Sequence, residues 1–119
     1  MCVRRALTDR LELGLKRYNH GVRVNDDTRS WGTPKNSWIE MAREELLDSI
    51  IYIVADYIRT VRATGDMAPM SFRQNDEPDD NKLIMSIVDE WNDIESPQHR
   101  MLLWNVFKML NSELFKSDD

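Results

Sequence analysis

The stretch from Ser37 to Arg62 constrains this chain more than any other. Asn36 or Ser37 supplies a helix N-cap, and Glu40 stands near the third helical position to complete a capping box. A helical pattern then continues to about Arg62, which at about 1.5 Å per residue makes a rod roughly 40 Å long. Its later part, Ile50-Ile51-Tyr52-Ile53-Val54-Ala55, is apolar nearly all round. Such a helix is central in a bundle or shared with a partner subunit. The expectation is one long, mostly buried helix.

The remaining segments arrange themselves around it. Val3, Leu7, Leu11 and Leu15 recur every four residues, with Ala6 and Leu13 beside them, and predict a first helix over 3–18. Asn19, His20 and Gly21 supply its stop. Residues 19–36 read as a long loop, with turn signals at Asn25-Asp26 and Trp31-Gly32-Thr33-Pro34, and loops of this length are often functional. Residues 64–80 hold two prolines and five acids and read as a connector. A third helix fits Asn81–Ile94, with Leu83, Ile84, Ile87, Val88 and Trp91 on one face. Ser96-Pro97, a cap followed by proline at the first helical position, opens a fourth that runs to about Phe115. The fold class expected is all-α: a four-helix bundle-like single domain over 1–119, with one long central helix.

Composition narrows the function. The chain has 119 residues, 41% hydrophobic and 31% charged, the size and balance of one globular domain. A net charge of -5 argues against binding a nucleic-acid polymer, which calls for a basic surface. The single cysteine, Cys2, cannot build a disulfide framework or a Cys-rich zinc site, and fits a reducing compartment. The N-terminus turns polar at Arg4-Arg5, and the longest apolar run, Leu46–Val54, is broken by Asp48 and Ser49. No membrane span or leader is expected, and the location expected is the cytoplasm, that of the host if the chain is phage-encoded. Ile50–Ile58 needs more apolar cover than the three other expected helices supply, so a homodimer or higher oligomer is expected.

The chemical information lies in Glu44-Glu45-Leu46-Leu47-Asp48. Positions three and four apart are neighbours on a helix, so Glu45 and Asp48 share a face that continues to Tyr52 and Asp56. Glu44 lines up with Leu47, Ile51, Val54 and Ile58, which aims its carboxylate towards the core. Converging carboxylates repel and are costly to desolvate, and a hard divalent cation relieves both. The plainer reading is an exposed acidic first half of a helix, favoured by the helix dipole and paired with Arg43. Asp9 and Glu12 form a second pair three apart on the first helix, where the plainer reading is a solvated face with a Glu12–Lys16 ion pair. Asp89, Glu90 and Asp93 repeat the spacing on helix three and could join the site, the plainer reading being a solvent face opposite Leu83, Ile87 and Trp91.

Glu45-Leu-Leu-Asp48-Ser-Ile-Ile-Tyr52 resembles the second signature of the all-α MazG-like nucleoside triphosphate pyrophosphohydrolases, Glu-x-x-Asp followed by an apolar stretch. Asp9-x-x-Glu12 stands where that family carries Glu-x-x-Glu. Leu13-Gly-Leu-Lys-Arg-Tyr18-Asn-His20-Gly21 and Trp38-Ile-Glu-Met-Ala-Arg-Glu-Glu resemble short phage-encoded members, so the resemblance covers about residues 5–62. It implies a hydrolase that cuts a nucleoside triphosphate into monophosphate and pyrophosphate, with magnesium or manganese as cofactor. Glu12, Glu45 and Asp48 would be metal ligands, and Glu44 a further ligand or the base for water. Lys16, Arg17, Arg23 and Arg29 would hold phosphates, with His20 beside them, and Tyr18, Trp31 or Trp38 would stack on a base.

Each substrate residue has a plainer role as well: Lys16 and Arg17 as cations near a helix C-terminus, His20 as a turn residue, Trp38 as core. The competing function is a non-enzymatic helical binding protein, a phage factor that grips a host protein or sequesters a nucleotide.

Overall fold

In the computed structural model, which describes residues 1–73 and 76–115, the chain is all-α. Four α-helices, α1 (Val3–Tyr18), α2 (Trp38–Arg62), α3 (Asn81–Asp89) and α4 (Pro97–Leu110), are joined by segments containing short 3-10 turns. Among the described residues none is in a strand, and no helix is long and apolar enough to cross a membrane. The chain divides into two compact units, Met1–Asn36 and Ser37–Asp119.

In the first unit, α1 ends where Asn19 takes the left-handed conformation (φ 61°) that asparagine tolerates, with Lys16 and Arg17 in its last turn, where cations suit the helix dipole. Its residues Val3, Leu7, Leu11 and Leu15 are all exposed, so the stripe that drives the helical pattern has no cover. The loop after it is nevertheless built. Asp27 caps a 3-10 turn over Thr28–Trp31 by accepting the Arg29 N–H at 2.9 Å. Gly32 follows at φ 95°, a conformation costly for any residue with a Cβ. Thr28 is fully buried: its N–H donates to Asn36 Oδ1 at 3.0 Å. Its hydroxyl, the Thr33 hydroxyl and the Lys35 carbonyl close a triangle of 2.9, 3.1 and 2.8 Å, in which two protons serve three oxygen contacts.

In the second unit, Ser37 caps α2 by accepting the Glu40 N–H at 3.2 Å. The core gathers Val54, Tyr57 and Ile58 of α2 with Ile87 of α3, Ile94, and Leu103 of α4. The long helix is less buried than its sequence suggests: Leu47, Ile51 and Tyr52 are 41%, 46% and 65% exposed. The physical reason is length. Helices of 9 and 14 residues cover only part of the length of a helix of 25, so the stripe that is core at Val54 and Ile58 is only partly covered at Leu47 and Ile51.

Two boundaries differ from the sequence expectation. α3 stops at Asp89 rather than Ile94: the Glu90 N–H is shared between the Ser86 and Ile87 carbonyls, and the chain tightens into a 3-10 turn over Trp91–Asp93. That change sets the Trp91 ring against Trp104 and Phe107 and lets the extended Ile94 enter the core. α4 stops at Leu110, and Glu113–Phe115 form a separate 3-10 turn. The connector after α2 is tied down by arginines. Arg62 donates to the Phe72 carbonyl and pairs with Asp80 at 2.9 Å, while Arg73 donates to the carbonyls of Ala68 and Asp66.

Candidate functional site

Ser37 starts α2 in a register that puts three carboxylates within its first three turns. Glu45 is exposed, and Glu44 and Asp48 are half-buried. Glu44 lies on the stripe that becomes core at Val54 and Ile58, but at the level of Leu47 and Ile51 that stripe is only partly covered. The carboxylate therefore sits at the rim of the core and not inside it. Among the described residues none of the three carboxylates has an ion-pair partner, and the exposed Arg43 beside them makes no pair either. The Glu45 backbone carbonyl accepts the Ser49 hydroxyl at 2.9 Å. Among the described residues no three His, Cys, Asp or Glu side chains gather closely enough to hold a metal. The arrangement can offer a cation two or three hard oxygen donors from one helix.

The other residues expected at the site, Trp38 apart, belong to the first unit. Asp9 and Glu12 are exposed on α1, and no Glu12–Lys16 pair forms. Lys16, Arg17 and Tyr18 are exposed at the end of that helix. His20 is half-buried, its Nδ1–H donating to the Gly21 carbonyl at 2.7 Å. Arg23 is exposed. Arg29 is engaged: its guanidinium grips the Asp27 carboxylate. That side-chain bond lowers the Asp27 pKa from its usual 3.8 to about 2 and raises that of Arg29. Trp31 is exposed in the loop, and Trp38, the first residue of α2, is 38% exposed, so neither is core. Asp89, Glu90 and Asp93 face solvent.

Two further constellations lie on α4, where the sequence reading assigned no chemistry. The first joins Ser96, His99 and Asp56. His99 Nε2 is 2.7 Å from Asp56 Oδ2, and because a carboxylate only accepts, Nε2 carries the proton. In the neutral ring Nδ1 then accepts from the Ser96 hydroxyl, which in turn accepts the His99 N–H at 3.3 Å. Beside it the Tyr57 hydroxyl accepts the Glu95 N–H at 3.3 Å. The spacing Ser-x-x-His at a helix start was the available signal, since it is the spacing of a capping box.

The second is an open groove of about 760 Å³ lined by Trp91, Asn92, Pro97, Arg100, Met101 and Trp104. The rings of Trp91 and Trp104 stack, 5.7 Å apart and 11° from parallel, and Lys108 Nζ lies 5.5 Å from the Trp104 ring centroid. The sequence concealed this groove because it forms only once α3 ends early. Comparisons with models of known protein families, with curated proteins and with solved structures find no match to this chain.

Proposed function

We propose that this chain is a magnesium- or manganese-dependent nucleotide pyrophosphohydrolase, acting on a nucleoside or deoxynucleoside triphosphate. One observation carries the reading: Glu44, Glu45 and Asp48 crowd one end of α2 with no cation partner among the described residues. Like charges at this spacing destabilise a helix by about 0.2–0.5 kcal/mol, a cost that a bound cation would offset. The donor set consists of carboxylate oxygens without thiolate or imidazole, which suits a hard cation. Magnesium commonly takes one or two protein carboxylates and fills its shell with waters and substrate phosphates, so Glu45 and Asp48 are a sufficient protein share from this helix. The resemblance of Glu45–Tyr52 to the MazG-like signature points the same way, and it alone names Glu12 as a further ligand.

In this reading Glu45 and Asp48 would hold a metal that, when bound, would neutralise charge developing on the phosphates. Glu44, at the rim of the core, takes a proton from the attacking water, which adds across the bond between the α- and β-phosphates. Monophosphate and pyrophosphate leave. The resemblance alone would assign Lys16, Arg17 and Arg23 to the phosphates, and Tyr18, His20 and Trp38 to the rest of the substrate. Arg29 is withdrawn from this set, because Asp27 already holds it. The test is pyrophosphate release from a panel of nucleoside triphosphates with magnesium or manganese. Release that Asp48→Asn abolishes at unchanged helix content supports the reading, and no release from any nucleotide overturns it.

The aromatic groove favours a second reading, a non-enzymatic helical protein that grips a host protein or sequesters a nucleotide. It predicts binding that ignores metal and survives Glu45→Gln. The exposed apolar residues of α2, Leu47, Ile51 and Tyr52, support a homodimer or higher oligomer. Light scattering tests the assembly, and a monomer at micromolar concentration excludes it.

A further inference from the structure

α1 and the first half of α2 each present an apolar strip without cover. α1 buries none of its residues, and Val3, Leu7, Leu11 and Leu15 are each more than half exposed. A helix of 16 residues is marginal in water by itself, and helices in proteins draw most of their stability from packing an apolar face. On α2, no residue of the packed core precedes Ile50, and Leu47 and Ile51 are exposed. The two strips match in length: Val3–Leu15 spans about 18 Å and Trp38–Ile51 about 20 Å.

Their charges are opposite. α1 carries Arg4, Arg5, Arg10, Lys16 and Arg17 against Asp9 and Glu12. None of these cations is in an ion pair among the described residues. Trp38–Ile51 carries Glu40, Glu44, Glu45 and Asp48 against Arg43. The asymmetry extends to the whole chain: residues 1–36 hold eight cations and four acids, and residues 37–119 hold eight cations and seventeen acids. Helical spacing also places the charges where they can meet. Arg10 and Arg17, seven apart, edge the leucine stripe of α1, while Glu44 and Asp48 edge Leu47 and Ile51 on α2.

These charges select the occupant. Two α1 helices repel each other, and so do two first halves of α2, whereas α1 laid on α2 sets cations beside carboxylates. An anionic lipid surface would satisfy α1 alone and leave Leu47 and Ile51 in water. A second copy of the chain brings both missing halves at once.

We propose that α1 of one copy lies along the first half of α2 of a second copy, and that a twofold axis repeats the contact, closing a dimer with two such seams. Leu7 and Leu11 pack on Leu47 and Ile51, and Arg10 and Arg17 meet Glu44 and Asp48. This inference rests on the homodimer reading above and names its surface; it does not depend on metal binding.

The test is light scattering of the full chain in chelator. The wild type should dimerise with a Kd at or below about 10 µM. Leu7→Glu with Leu11→Glu, and separately Leu47→Glu with Ile51→Glu, should each weaken dimerisation about a hundredfold or more at unchanged helix content. Leu7→Ala with Leu11→Ala, which keeps helix propensity, should weaken it about tenfold and so separates lost packing from lost folding. Mixing is decisive. In a mixed pair of the two glutamate variants one seam has both faces intact, so together they should form a heterodimer that neither forms alone. Raising salt from about 50 to about 500 mM should weaken the wild-type dimer about threefold or more. A wild type that stays monomeric at about 100 µM overturns the homodimer reading together with the proposal. Binding of that monomer to phosphatidylserine vesicles would then give α1 to a lipid surface, and its destabilisation by both glutamate variants would place the contact within one chain. A wild-type dimer that the α1 variants leave intact, that salt does not weaken, or whose two glutamate variants fail to complement overturns the proposal alone.

Discussion

His99 of α4 donates its Nε2 proton to Asp56 of α2 across 2.7 Å, and through Ser96 the same imidazole closes the first turn of its own helix. One side chain thus sets both the start of α4 and its position along α2. Its ring also rests on Tyr57, 5.5 Å between centroids, so the polar link is backed by the core. The His99 side chain is 14% exposed and that of Asp56 70%, which keeps the bond in partial contact with water. A double-mutant cycle of His99→Ala and Asp56→Ala should therefore give a coupling of only about 0.5–1 kcal/mol by chemical denaturation. A coupling of zero would remove the link between the helices.

Leu103 and Leu102 are adjacent on α4 and differ completely in burial, 0% against 48% exposed. Leu103→Ala empties a site walled by residues of all three helices of the second unit and should cost about 2–5 kcal/mol. Leu102→Ala should cost about 0.5 kcal/mol or less if its face is open in solution. A large loss at Leu102 would instead show that an assembly covers it.

Arg62 lowers the pKa of Asp80 below its usual 3.8 through a side-chain hydrogen bond, and its own is raised. A depressed carboxyl pKa contributes stability that is fully present above the unfolded value and is lost as pH falls through the folded one. The wild type should therefore lose more thermal stability between pH 5 and pH 3 than Asp80→Asn does. Equal losses would show that the clamp on the connector has no energetic consequence. Asp27, lowered to about 2 by Arg29, acts in the same direction within the first unit.

The helices were legible because their signals are local. Ser37 capping α2, Asn19 ending α1 and Ser96-Pro97 opening α4 each depend on residues within one turn. The end of α3 was not legible, because it is decided by where Trp91 finds Trp104, a contact 13 residues away in sequence. Burial along α2 misled for a related reason. Ile51 and Val54 look alike in sequence, and only the finite lengths of α3 and α4 leave one exposed and bury the other. The acids on α2 were legible as a cluster. Their lack of cation partners was not, since Arg43 stands beside them and could have paired.

That unpaired cluster makes a prediction of opposite sign with and without metal. In metal-free buffer the Glu45–Asp48 pair repels at a spacing where like charges cost a helix about 0.2–0.5 kcal/mol. Asp48→Asn and Glu45→Gln should each therefore be slightly more stable than the wild type in chelator. Adding magnesium or manganese stabilises whichever form binds it, by an amount that grows with the logarithm of metal concentration over Kd. Because the variants lose a hard anionic donor, the ranking should invert at millimolar metal, with the wild type melting highest. Pyrophosphate release should fall about a hundredfold or more in Asp48→Asn if a transition-state charge contact is lost with it. If the variants are less stable than the wild type in chelator, the carboxylates are structural, and if metal leaves the ranking unchanged, α2 holds no metal site.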